Sequence, residues 1–228
     1  MPAKKDYRYK FRNLSLQRSV TIMRILFFVI LFLTAQSCAT KKYTKTRLLP
    51  GGIKSATEEV YAVESNQRKL LHKKEMVFTK NGRIKYSKTV DSSGNLLQET
   101  EKRWWFVVES YPDRERYYCK TRWKPKQRER ISCYTKKQYK QNESIYHYNK
   151  DGTIDKIVDN FTTFHTQHFY YANKELSKIV IRDKNDKLID EVLVNCMAKD
   201  EKGACLKEIR ISTKTNYKEE ILISPTYD

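Results

Sequence analysis

From about residue 75 onward, apolar and polar residues alternate with period two in short runs. Ile84, Tyr86 and Val90 fall on one side of such a run, with Arg83, Lys85, Ser87 and Thr89 on the other. Residues 104–108, Trp-Trp-Phe-Val-Val, are apolar at every position, which predicts a central strand covered on both faces. Further strands are expected at 115–123, 129–139, 144–149, 154–160, 165–172, 176–183, 187–196, 204–213 and 217–224. Turn residues separate most of them: Asn81-Gly82, Ser92-Ser93-Gly94-Asn95, Asp151-Gly152, Asn173-Lys174 and Lys184-Asn185-Asp186. The pattern predicts an all-β fold, an antiparallel meander of about 10–12 strands in a twisted open or curled sheet. Residues 57–73 fit either a short helix or a first strand.

Ahead of this region stands the one strong hydrophobic run, residues 25–33. Its nine residues span about 14 Å as a helix, too short for the roughly 30 Å of bilayer hydrocarbon. The length suits a signal-peptide core. Arg24 precedes it, and Thr34-Ala35-Gln36-Ser37 leads from it into Cys38. This stretch resembles a bacterial lipoprotein signal, in which the Cys after the cleavage site is acylated and becomes the mature N-terminus. Ser37 and Ala35 match the family's small residues, and Gln36 departs from them. The resemblance implies a signal peptide at 1–37, acylated Cys38 as the bond to membrane lipid, and residence in the outer membrane. Residues 1–22 form a long basic leader, whereas Met23-Arg24 opens a compact one, so translation is expected to begin at Met23.

Residues 38–56 read as a basic tether ending in Pro50-Gly51-Gly52, and residues 57–228 as a single all-β domain. In some lipoproteins of this class an acidic stretch after the Cys directs the protein to the cell exterior. Here Ala39-Thr40-Lys41-Lys42-Tyr43-Thr44-Lys45 contains no acid, so a periplasm-facing domain is expected.

The turns resemble one another. Phe78-Thr-Lys-Asn-Gly-Arg-Ile84, Tyr148-Asn-Lys-Asp-Gly-Thr-Ile154, Tyr170-Tyr-Ala-Asn-Lys-Glu-Leu176 and Arg182-Asp-Lys-Asn-Asp-Lys-Leu188 each join a strand end to an aliphatic strand start. Over residues 76–100 and 146–195 this resembles the degenerate YD-type or MORN-type β-hairpin repeats of bacterial envelope proteins.

Composition narrows the picture further. The chain has 228 residues, 46 Lys and Arg against 27 Asp and Glu, and a net charge of +19. Residues 1–37 carry seven basic residues and one acid, leaving 39 basic and 26 acidic groups and a net +13. Twenty-eight aromatic residues set it apart from a disordered basic tail. Five cysteines become four once Cys38 is set aside. An exported protein permits disulfides, and the spacing favours Cys119 with Cys133 and Cys196 with Cys205, each pair flanking a hairpin turn. Reduced thiols and zinc are the alternatives.

No enzyme signature is present: no G-x-S-x-G, no H-E-x-x-H, no P-loop. Glu99 and Glu101 share one face of a strand about 7 Å apart, a spacing open to paired glycosidase carboxylates. Beside Lys102 and Arg103 they read as solvated surface. His165 and His168 fall on opposite strand faces, so no metal site is expected, and no cofactor. The distinctive segment is 114–140, with eleven Lys and Arg among Tyr117, Tyr118, Trp123, Tyr134 and Tyr139. Arg116, Lys120, Arg122, Trp123, Lys124, Lys126, Arg128 and Arg130 are the candidate polyanion-binding residues. In an envelope protein the expected ligand is anionic lipid or another envelope polyanion, not nucleic acid. The function expected is a non-enzymatic binding or scaffolding module; an envelope glycan hydrolase with unidentified carboxylates is the alternative.

Overall fold

The computed structural model describes residues 52–65, 67–80, 82–124 and 128–227, with the side chains of Trp123 and Lys124 left out of that description. Every element in it is a strand: β1 (Ile53–Glu64), β2 (Gln67–Phe78), β3 (Ile84–Asp91), β4 (Leu96–Lys102), β5 (Val107–Tyr111), β6 (Arg114–Lys124) and β7 (Arg128–Tyr134), then β8 (Lys140–Tyr148), β9 (Ile154–Asp159), β10 (Thr166–Ala172), β11 (Glu175–Arg182), β12 (Leu188–Lys199), β13 (Cys205–Ser212) and β14 (Lys218–Tyr227). Each strand pairs antiparallel with the next, and β1 pairs with β14, so the meander closes into a barrel. Closure removes the unpaired edges an open sheet would leave. The meander was legible from the sequence; its closure and two of its longest strands were not. Residues 57–73 belong to β1 and β2, whose inward positions include Glu58, His72 and Lys74 beside Val60 and Met76. Polar residues at inward positions break the apolar alternation that would have marked these strands. The strand β1 also takes in residues 53–56, the end of the expected tether.

One turn recurs through the barrel and explains the likeness between hairpins. At Thr79, Asp91, Thr135, Asn149, Asp183 and Asp200, the first residue's N–H donates to the C=O of the fifth, and the fourth donates back to the first. The fourth position has positive φ in all of them: Gly82, Gly94, Gln138, Gly152, Asp186 and Gly203. Glycine reaches this region without a Cβ penalty, and it fills four of these places. The first residue often caps its own turn. Asp91 Oδ1 accepts from the amides of Ser93 and Asn95, both at 2.8 Å. Asp183 does the same for Asn185 and Lys187, and Asp200 for Lys202 and Ala204. The β10–β11 hairpin differs, with Asn173 and Lys174 both at positive φ in a two-residue turn.

Paired residues share a face, so register separates the inside of the barrel from the outside. Inward positions hold Ala56, Val60, Met76, Cys119, Cys133, Ile179, Val194, Ile221 and Ile223, all buried. Outward positions hold charge on most strands: Glu59, Lys73, Lys88, Glu99, Arg122, Lys156, Lys178, Glu191, Lys207 and Lys218. A membrane-spanning barrel presents an apolar band there; this wall mixes charge with apolar residues such as Val180, Leu193 and Leu222. The main apolar cluster joins Ile53, Ala56, Val60, Met76, Phe78, Ala204, Ile221 and Ile223. It sits toward the rim where the chain enters β1.

Two expectations need correcting. The register shift between Val77 and Phe78 places a bulge opposite, at Lys85. Ile84 therefore pairs with inward Phe78, Tyr86 and Val90 turn outward, and Ser87 and Thr89 turn inward, reversing the expected faces of these four residues. Trp104 and Trp105 are not in a central strand either. They form the tip of the β4–β5 hairpin, closed by a 2.8 Å bond from the Arg103 amide to the Phe106 carbonyl. Both cysteine pairs form as the spacing indicated, Cys119–Cys133 and Cys196–Cys205.

Candidate polyanion-binding surface

The alternation of β6 sorts its residues by chemistry. Cys119 and Thr121 face inward, while Tyr118, Lys120 and Arg122 face outward about 6.8 Å apart along the strand. Arg116 continues this outward row and borders a groove with Val108 and Ser110. On β7, Cys133 and Ile131 face inward, so Arg128, Arg130, Ser132 and Tyr134 face outward. Register sets Arg122 directly opposite Arg130 and Lys120 opposite Ser132. On the next strand His147 stands opposite Arg128 and Ile145 opposite Arg130. With the buried disulfide and Ile131 on the inward side, register sets a panel of cations on the outer wall.

No ion pair joins Arg116, Lys120, Arg122, Arg128 or Arg130 to a described acid. Like charges directly across a strand pair, as at Arg122 and Arg130, are destabilising. The Nε atoms of Arg128 and Arg130 are shielded from water without a hydrogen-bond partner. Leaving such a donor unmade costs about 1–3 kcal/mol. The acid on this panel, Glu143, is already occupied. Ser132 Oγ donates to it at 2.8 Å, Lys140 Nζ at 3.1 Å and Asn160 Nδ2 at 2.7 Å. Burial pushes its carboxyl up, but the bonds from Asn160, Ser132 and Lys140 outweigh this and hold it at about 2.

The carboxylates considered for hydrolysis, Glu99 and Glu101, each carry a partner of their own. Glu99 and Glu101 line an outward groove of about 340 Å³ with Tyr86, Arg103 and Arg116. Tyr86 donates to Glu99 at 2.6 Å, and Arg103 to Glu101 at 3.0 Å. The carboxyl raised by burial is Glu109, which pairs in register with Thr100 and so lies on the opposite face of the sheet. Tyr111 donates to it at 2.9 Å. One carboxylate oxygen of Glu109 and the sulfurs of Cys119 and Cys133 lie within 4.8 Å of one another, but the disulfide leaves no thiolate for a metal.

Of the residues singled out from the sequence, Arg116, Lys120, Arg122, Arg128 and Arg130 come together on one wall. The backbone of Trp123 pairs with Glu129 and that of Lys124 with Arg128. Lys126, Cys38, the leader and the basic tether through residue 51 lie outside the described residues. Tyr118 and Tyr134 accompany the cations, whereas Tyr117 turns inward against Tyr111. Sequence reasoning missed His147, although its strand parity was readable by counting back from the Asn149 turn.

No family model matches the chain, and no curated protein does. Among solved structures it is similar to a DUF1329 family protein from Desulfovibrio piger, at 12% identity over 77% of this chain and 86% of that one, with a TM-score of 0.36. A LolA superfamily protein from Nitrosomonas europaea matches at 8% identity, 79% and 88% coverage and a TM-score of 0.37. A porin-like protein from Bacteroides uniformis matches at 9% identity, 75% and 60% coverage and a TM-score of 0.38. At such scores the likenesses carry no argument about what this chain does.

Proposed function

We propose that this chain is a lipid-anchored cell-envelope protein, a non-enzymatic module that binds or scaffolds anionic envelope components. Acylated Cys38 holds it in the outer membrane, with the barrel facing the periplasm. The observation that carries the reading is the unpaired cation panel on β6 and β7. Guanidinium groups on this outer wall can form charge-assisted hydrogen bonds with phosphate or carboxylate oxygens. Each Lys or Arg near an anionic bilayer contributes about 1 kcal/mol.

The lipid on Cys38 would hold the chain at a bilayer, and the basic surface adds an electrostatic contact with anionic headgroups. The mature Cys38→Ser form, residues 38–228 made without lipid, separates the two contributions. It is expected to pellet with anionic vesicles at about 0.1 M salt and to leave them at about 1 M, as the Debye length shrinks from about 10 Å to about 3 Å. Neutral vesicles are expected to retain little at low salt. Equal retention by neutral and anionic vesicles at low salt contradicts the electrostatic reading.

A further inference from the structure

The β4–β5 hairpin carries its two tryptophans on bare display: Trp104 is 91% exposed and Trp105 is 84% exposed. Single exposed apolar residues are ordinary on a protein surface. Two adjacent indoles on a firm support are not. The Arg103 amide closes the turn onto Phe106, and the Arg103 guanidinium is held by Glu101 at 3.0 Å. Phe106 meets Tyr118 edge-on at 5.8 Å between ring centres, and Val108 below it is buried. The hairpin base is packed, so the indoles project from a built stem.

Their position adds a second observation. Counting strand directions around the meander, this tip lies on the same rim as the turns at 79–83, 149–153, 173–174 and 200–204. That rim carries exposed Lys80, Lys102, Arg103, Lys150, Lys174 and Lys202, beside the acids Glu101, Asp151 and Glu201. It is also where the chain enters β1 at Ile53. Cys38 precedes Ile53 by fifteen residues, a reach of at most about 50 Å. The segment that leads back to Cys38 therefore joins the barrel at the rim that carries the Trp tip.

We propose that the Trp104–Trp105 tip is a membrane-docking finger, seating both indoles at the headgroup–acyl boundary of the bilayer to which the chain is anchored. Indole suits that depth because it joins a large apolar ring to one N–H donor. The surrounding lysines and Arg103 lie level with the phosphates, and the neighbouring β6–β7 wall leans toward them. The inference rests on the membrane reading above but uses a different force. Indole partition persists in zwitterionic lipid and at high salt, where the cation panel is silent.

The test reconstitutes the full chain from detergent into zwitterionic vesicles containing brominated phosphatidylcholine, and reads tryptophan fluorescence at low and high salt. The expected result is blue-shifted emission, quenched most by bromines shallow in the acyl region and unchanged by salt. In the Trp104→Ala/Trp105→Ala variant this quenching disappears. Far-UV circular dichroism and both disulfides stay as in the parent, because the replaced side chains are solvent-exposed. Water-like emission with no quenching overturns the proposal. So does quenching that survives in the double variant, since it then belongs to Trp123. A concentration-dependent blue shift without vesicles overturns it too, because the indoles are then covered by a second copy of the chain. Tip quenching in zwitterionic vesicles alongside failure of the Cys38→Ser chain to bind anionic vesicles removes the cation panel and leaves the finger. The opposite pair of results removes the finger alone.

Discussion

Replacing both Arg122 and Arg130 with Glu is expected to weaken binding of the Cys38→Ser chain to anionic vesicles by roughly a thousandfold. The change removes two attractive charges and installs two repulsive ones at the centre of the panel, where the residues stand directly opposite each other. At about 1 kcal/mol per charge near the surface this amounts to about 4 kcal/mol, and 1.4 kcal/mol is tenfold. The pair is like-charged before and after, so cross-strand repulsion is retained and stability is expected to change little. Lys184→Glu/Lys187→Glu supplies the control: the same net change in a turn on the opposite rim. A titration of vesicles at low salt reads both. Equal losses in the two variants mean that net charge, and not this wall, governs binding.

The second large effect concerns the Cys119–Cys133 disulfide. It closes a loop of 14 residues across directly paired positions of β6 and β7. Loop-closure entropy assigns such a link about 3 kcal/mol. The apolar material nearby is thin, since Glu109 and Glu129 share the inward face. Cys119→Ala/Cys133→Ala is therefore expected to lower the unfolding free energy by about 3 kcal/mol, read as a lower urea midpoint at similar slope. The same variant is expected to lose vesicle binding, because the hairpin that displays the cations is the element this bond holds in register. An unchanged midpoint contradicts the structural role given to the disulfide.

The parts of this molecule readable from sequence are those governed by local chemistry. Turn residues located the hairpins because glycine at positive φ and an aspartate capping its own turn act within five residues, as at Asp91–Asn95 and Asp200–Ala204. The cysteine pairs followed from the same hairpins. The cations of β6 and β7 stood out by composition, and their division between the two faces followed only from the pairing register. What stayed hidden depends on partners far along the chain. Closure of the barrel rests on β1 meeting β14, and neither strand carries a local sign of it. The inward Glu58, His72 and Lys74 tolerate an interior that is only partly apolar, so β1 and β2 show no clean alternation. The Trp-Trp-Phe-Val-Val run misled for a related reason. Apolar residues at every position describe a strand buried on both faces or a tip that meets something outside the fold, and periodicity cannot separate them. Bulges such as the one at Lys85 shift a face by one residue without leaving a mark in composition.

The central claim is that the outer wall of β6 and β7 meets an anionic surface. Arginine footprinting with phenylglyoxal, in the presence and absence of anionic vesicles, tests it residue by residue. The account predicts that bound vesicles protect Arg116, Arg122, Arg128 and Arg130, that salt removes the protection, and that Arg182 on β11 reacts equally in both states. Protection spread evenly over the barrel, or confined to Arg182 and its neighbours while the β6–β7 arginines react freely, contradicts it.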